Sequence, residues 1–315
     1  MKQKKESRIW FDMMLTLLPL SVIAFFYYGA HFMMTAVLCV ITALVTEIIS
    51  VRLMQRKFMP DDLSCTADGL LVALMLPASV DYRIAVLSSV FAVAVAKNIF
   101  GGRQNMIFSP SAAAYIFAVT SWSRELSLYP SPHNRIGITE TAEKLSASAS
   151  HIFNTTGKMD YTDFEIIMGN FSGACGSVCI LLLLVAAAVL ICRKDISGGA
   201  FFGTVFGTAV PAFIAPIINS RADSVKYSLV TNMVIFAAVY IIADKRTAPR
   251  NTFFAFFYGF FIAAVSYILI LTTAKENTII TVSVLFTPIA LAFQMLEGRI
   301  ERAEKEQAQI GETVQ

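Results

Sequence analysis

Ten apolar runs of 14 to 22 residues occupy most of this 315-residue chain, and runs of that length dictate a solvent before they dictate a fold. They are Asp12 to Tyr28, Phe32 to Ser50, Ser64 to Pro77, Arg83 to Ala96, Phe108 to Trp122, Gly173 to Ile191, Ile196 to Ile217, Tyr227 to Ala243, Thr252 to Leu271 and Ile279 to Phe293. Their lengths suit helices, and the strict alternation of a membrane barrel is absent. With 56% hydrophobic and 15% charged residues, the chain lacks the polar surface to cover a soluble globule of this size. The expectation is an all-α integral membrane protein of about ten transmembrane helices.

Several other classes are set aside by residue usage. A basic stretch (Lys2, Lys4, Lys5, Arg8) precedes the first apolar run, as in a signal peptide. That run is long and no small-x-small cleavage site follows, which favours a retained helix. Five cysteines (Cys39, Cys65, Cys175, Cys179, Cys192) show no CxxC spacing and read as buried thiols. His31, His133 and His151 fall outside helix interiors, so no haem ligands stand between helices. A net charge of +3 requires no nucleic-acid partner.

Basic residues concentrate in short cytoplasmic loops, so they test the topology. Ten crossings starting inside place seventeen of the 25 Lys and Arg residues in the cytoplasm. Outside remain Arg83, Arg124, Arg135, Lys144, Lys158, Arg221, Lys226 and Lys275. Both termini are then cytoplasmic, in a multi-pass cytoplasmic (inner) membrane protein surrounded by lipid.

Phe108-Ser109-Pro110-Ser111-Ala112 returns as Phe286-Thr287-Pro288-Ile289-Ala290. A hydroxyl residue followed by proline suits a helix start, because proline lacks the amide that would go unpaired there. Five helices per copy would insert the second copy upside down, giving two inverted five-helix repeats. The divisions are 1–122 and 171–296 for the repeats, 123–170 for an extracytoplasmic loop and 297–315 for a cytoplasmic tail. Two helix N-termini, at Ser109 and Thr287, would then face a site from opposite leaflets. A generic Ser/Thr-Pro helix start with small residues for packing is the alternative.

From Asp62 to Ala114 the chain reads DLSCTADGLLVALMLPASVDYRIAVLSSVFAVAVAKNIFGGRQNMIFSPSAAA. This resembles the RnfD and NqrB family, membrane flavoprotein subunits of ion-pumping electron-transport complexes. Members carry GLLxALxLP, a Lys followed by a Phe-Gly-Gly turn, and an Asn-Pro-Ala helix start. EIISVRLMQRK from Glu47, MGNFSGACGSVC from Met168 and ADKRTAP from Ala243 extend the likeness, and the length favours RnfD. The resemblance implies FMN joined through its phosphate to a hydroxyl side chain, a second, non-covalent riboflavin among the helices, a flavin transferase and other Rnf-type subunits as partners. In LSASASHI, Ser150 falls at the acceptor position, flanked by Ala147 and Ala149. The chain departs from the family pattern at Ser109 for asparagine, Ser150 for threonine, His151 for proline, Ser177 for an acid and Lys245 for aspartate-proline. A cofactor-free flexible loop is the other reading of the Ser/Ala alternation.

Three acids stand near apolar runs and are ion-path candidates. Glu47 reads either as a structural ion pair, with Arg52 or Lys97, or as part of an ion path. Asp68 with Gly69 opens a short segment and suits its helix N-terminus. Asp244, followed by Lys245 and Arg246, reads as an interfacial snorkelling cluster or as a buried site. The sequence therefore supports an RnfD-like subunit holding flavin and passing electrons while sodium ions or protons move. An inverted-repeat transporter or channel without redox chemistry, and a structural assembly subunit, are the alternatives.

Overall fold

The computed structural model describes residues 2–56, 63–102, 106–140, 145–159, 161–177, 179–219 and 224–313. Lys57, Arg103, Lys144 and Arg221 of the basic census lie outside these residues. The chain is helical almost throughout, and the apolar runs make the helices. In the first half these are α1 (Lys2–Tyr28), α2 (Ala30–Leu53), α3 (Ser64–Met75), α4 (Tyr82–Val90, continued as a π-helix over Phe91–Ile99) and α5 (Pro110–Ser121). Ser121 leads into a segment with a two-stranded antiparallel ribbon, β1 (Leu128–Pro130) and β2 (Leu145–Ala147), and two short helices, α6 (Ala149–Thr156) and α7 (Asp163–Met168). The second half holds α8 (Ile180–Cys192), α9 (Gly198–Asn219), α10 (Ser224–Val230), α11 (Val234–Ala237, continued as a π-helix over Ala238–Ile242), α12 (Thr252–Thr273), α13 (Thr278–Leu285) and α14 (Thr287–Thr313).

Among the described residues, five helices are long and apolar enough to cross a membrane, and α13 with α14 makes a sixth span bent by 45°. α3 and α8 are shorter apolar helices. Their outward faces carry side chains that only lipid would solvate: Phe26, Ile41 and Ile49 on α1 and α2, Phe206 and Phe213 on α9, Phe253 on α12.

Interhelix contacts sort the connections into two ends. At one end Arg8 donates to the Arg193 carbonyl, Ser197 N–H to the Ala243 carbonyl at 2.8 Å, and Arg250 N–H to Glu297 at 3.1 Å. At the other, Ile136 N–H donates to the Tyr28 carbonyl, His31 Nδ1 meets the Ala78 carbonyl, and His151 Nδ1 meets that of Ala274. We call these the basic end and the loop end. Among the described residues five helices, or six with the bent pair, have the length and apolarity of a full span, where hydropathy reads ten crossings.

Four expected segments take a different form. Gly173 to Ile191 becomes helical only at Ile180, because Gly176 instead donates its N–H to the Leu74 carbonyl at 2.7 Å. This satisfies a free carbonyl at the end of α3, which at twelve residues reaches only about 18 Å. Ile196 to Ile217 starts late, at Gly198, because Ile196 bridges to Asp244. Tyr227 to Ala243 breaks at Asn232 and Met233, both in left-handed backbone with φ 55° and 56°. Ile279 to Phe293 breaks at Phe286.

In the second half α9 lies directly along α12. A Cβ added to Gly203 would meet the Phe256 carbonyl at 2.1 Å, and one on Gly207 the Phe260 carbonyl at 2.3 Å. Glycine every fourth residue lets the two backbones touch, the means by which helices associate where lipid removes the hydrophobic drive.

Candidate functional site

Ser150 sits in the first turn of α6, whose N-cap is Ser148; the Ser148 hydroxyl accepts the His151 N–H at 3.0 Å. The serines and small alanines of this stretch thus end a ribbon strand and start a helix, as serine at an N-cap favours. The helix packs inward. Ser150 Oγ accepts the Asn232 N–H at 3.0 Å, where α10 unwinds, and donates to Glu276 in the α12–α13 connection. One turn on, the Asn154 and Asn232 side chains exchange amide hydrogen bonds of 2.6 and 3.3 Å.

Glu276 gathers this end of the molecule. It accepts hydrogen bonds from Tyr129, Ser148 and Ser150, and Tyr115 of α5 hydrogen-bonds with Tyr129. Burial holds the Glu276 carboxyl above the ordinary carboxylate range, against the pull of these donors and of nearby His151. Burial, with the Glu276 charge next, likewise raises the Tyr129 phenol. A Ser-centred polar cluster therefore joins the loop, the helix break and α5. Sequence reasoning missed Glu276, Tyr129, Asn154 and Asn232; Glu276 is one acid in a short connection, and nothing local ties it to Ser150.

At the basic end, Glu47 forms the ion pair with Lys97 rather than Arg52. Lys97 Nζ lies 3.3 Å from Glu47 Oε1 and donates to Ser64 at 2.8 Å, while Asn98 donates to Glu47 Oε2 at 2.8 Å. Lys97 and Asn98 are adjacent yet reach the same carboxylate, because both lie in the π-helical continuation of α4. Asp68 is fully buried but lies on the second turn of α3, which starts at Ser64. It is therefore not the residue that opens the helix.

Asp244 is buried and held by Arg246, through the Arg246 N–H at 3.0 Å and the guanidinium. The same guanidinium stacks over Trp10 of α1, 4.1 Å from the ring centre. The cluster thus packs into the protein instead of only snorkelling at its rim. Ser109 caps the start of α5 with Pro110 at the first helical position, its hydroxyl 3.0 Å from that of Ser111. Thr287 bonds back to the Val284 carbonyl at 2.8 Å and starts α14, so Thr287-Pro288 opens a helix that is bent by 45° from α13. Among the described residues, no hydrogen bond or ion pair joins Ser109 or Thr287 to Ser150.

A family model described as NQR2, RnfD, RnfE family matches residues 1–293. The chain belongs to this family. Among curated relatives it is 28% identical over 187 residues to the D subunit of the Na(+)-translocating ferredoxin:NAD(+) oxidoreductase complex of Acetobacterium woodii, covering 59% of this chain and 58% of that one. It is 25% identical over 253 residues to the D subunit of the proton-translocating ferredoxin:NAD(+) oxidoreductase complex of Clostridium ljungdahlii, covering 78% and 76%. With the D subunit of the ion-translocating oxidoreductase complex of Shewanella piezotolerans it shares 29% over 144 residues, 41% of each chain. The match thus spans less than two thirds of the first of these relatives. The family membership and the apolar helices together make this a multi-pass membrane protein.

Proposed function

We propose that this chain is an RnfD-like subunit of a membrane-bound, ion-translocating electron-transport complex, holding flavin while electrons pass and sodium ions or protons move. The observation that carries the reading is the family match over residues 1–293, with relatives named as the D subunits of such complexes. Its partners are the other subunits, the surrounding inner-membrane lipid and a flavin transferase. In this reading both termini face the cytoplasm, residues 1–122 and 171–296 form the inverted halves, and Ser150 takes FMN outside. The paired packing of α2 on α4 and α9 on α12 supports two related halves.

The residues around Ser150 fit a phosphoester. The hydroxyl stands in the first turn of a helix, where backbone N–H groups and the helix dipole favour a phosphate. When bound, flavin supplies one- and two-electron redox chemistry. The chain's own part is to hold the ester at the α6 N-terminus, keep water out with the buried Phe153 and Ala149, and steady the site through Tyr129 and Glu276. A second, non-covalent riboflavin belongs among the helices in the same reading.

One observation favours the cofactor-free transporter: Ser150 is only 6% exposed and its hydroxyl is already engaged. The test is co-expression of the full chain with its flavin transferase. A fluorescent band on a denaturing gel that is lost in Ser150→Ala and retained in Ser146→Ala supports covalent flavin. An unmodified Ser150 peptide by mass spectrometry rejects it and favours the transporter.

A further inference from the structure

Two carboxylates with no role in the candidate site meet at the basic end, beside the Asp244–Arg246 pair. Asp12, near the start of α1, is 1% exposed, and Asp195, in the turn between α8 and α9, is 3% exposed. The Asp195 carboxyl hydrogen-bonds that of Asp12. Two carboxylates can share such a bond only if one of them carries a proton. Asp12 Oδ1 and Asp195 Oδ2 are buried and have no donor among the described residues, so each is short of a hydrogen.

Little positive charge surrounds the pair among the described residues. Arg193 Nε lies 2.8 Å from Asp12 Oδ2. Arg8 stays 3.7 Å from Asp12 and 3.8 Å from Asp195, and its side chain is 55% exposed, so water screens much of its charge. Lys194, in the same turn, gives its carbonyl to Lys245, while Asp244 and Arg246 neutralise one another across the Ile196 bridge. Among the described residues, one arginine in close contact thus serves two buried acids.

We infer that Asp12 and Asp195 form a binding site for a single proton, shared between the first and second halves of the membrane domain and reached from water past Arg8 and Arg193. The proton belongs to the pair. Burial, followed by the hydrogen bond to Asp12 and its charge, pushes Asp195 up to about 6. A proton held there is exchanged near neutral pH. This site does not rest on the flavin reading.

Infrared difference spectroscopy of the full chain in nanodiscs, with aspartate carboxyls isotope-labelled, tests it. A protonated-carboxyl band should titrate near pH 6 and vanish in both Asp12→Asn and Asp195→Asn, since either change removes the pair. Arg193→Gln keeps both acids and should move the midpoint up by about one pH unit or more. Arg8→Gln should move it less. A band surviving either Asn variant, no aspartate titration near pH 6, a larger shift from Arg8→Gln than from Arg193→Gln, or loss of the proton on replacing potassium by sodium at constant pH would each overturn the proposal.

Discussion

Lys97 is fully buried, and a lysine in that position persists only because Glu47 and Ser64 receive its protons. Lys97→Met should therefore cost on the order of 3–5 kcal/mol by stranding Glu47, read as lost thermal stability in detergent, and adding Glu47→Gln should recover most of it. Glu47 was legible because it interrupts an apolar run, and Lys97, at the end of another, was one of its two candidate partners. The Ser150 cluster was only half legible: the serine stands out by its motif, whereas Glu276 reaches it through tertiary folding alone. The docked α6 predicts that folded, flavin-free protein accepts FMN from its transferase more slowly than chain co-expressed with the enzyme, by mass spectrometry. Equal rates would show that α6 does not shield Ser150. Because burial raises Glu276, the stability it contributes is full below its unfolded pKa and is lost as pH rises through its raised folded value. Melting curves above the ordinary carboxylate range should accordingly fall with pH in the native chain, and this component should be absent in Glu276→Gln.

Among the helices, the α9–α12 seam tolerates no side chain at Gly203, whereas a Cβ at Gly298 of α14 meets nothing within 4 Å. Gly203→Ala should destabilise by about 1–3 kcal/mol through overpacking. Gly298→Ala should be neutral or stabilising, by up to about 1 kcal/mol, from helix propensity. Comparing their melting temperatures checks both. Long apolar runs such as Thr252 to Leu271 reappear nearly unchanged in α12 because burial in lipid alone specifies them. The breaks were not legible. Asn232 and Met233 carry no glycine or proline signal, and their left-handed backbone is held by Ser150 and Asn154 from the distant loop. The π-helical turn at Lys97 likewise answers to its partners on α2 and α3 rather than to local propensity.

At the scale of the whole molecule, hydropathy and the positional bias of Lys and Arg predict ten crossings, of which five or six stand among the described residues as long apolar helices. Surface labelling of single cysteines placed at exposed Ser131 and Arg302, without the native thiols, should mark Ser131 from outside intact cells and leave Arg302 unmarked. The reverse pattern would invert the topology. What the sequence could not supply was the joining of the halves, which is made by the Gly176–Leu74 and Ser197–Ala243 hydrogen bonds and by Arg246 over Trp10. Above all, this chain is proposed to work within an ion-translocating electron-transport complex. The most direct test uses inverted membrane vesicles from cells lacking the chain, compared with vesicles in which it is restored, assayed together for ferredoxin-dependent NAD+ reduction and ion uptake. Both activities should disappear without the chain and return together with it; vesicles that reduce NAD+ and accumulate ions equally well in its absence would contradict that role.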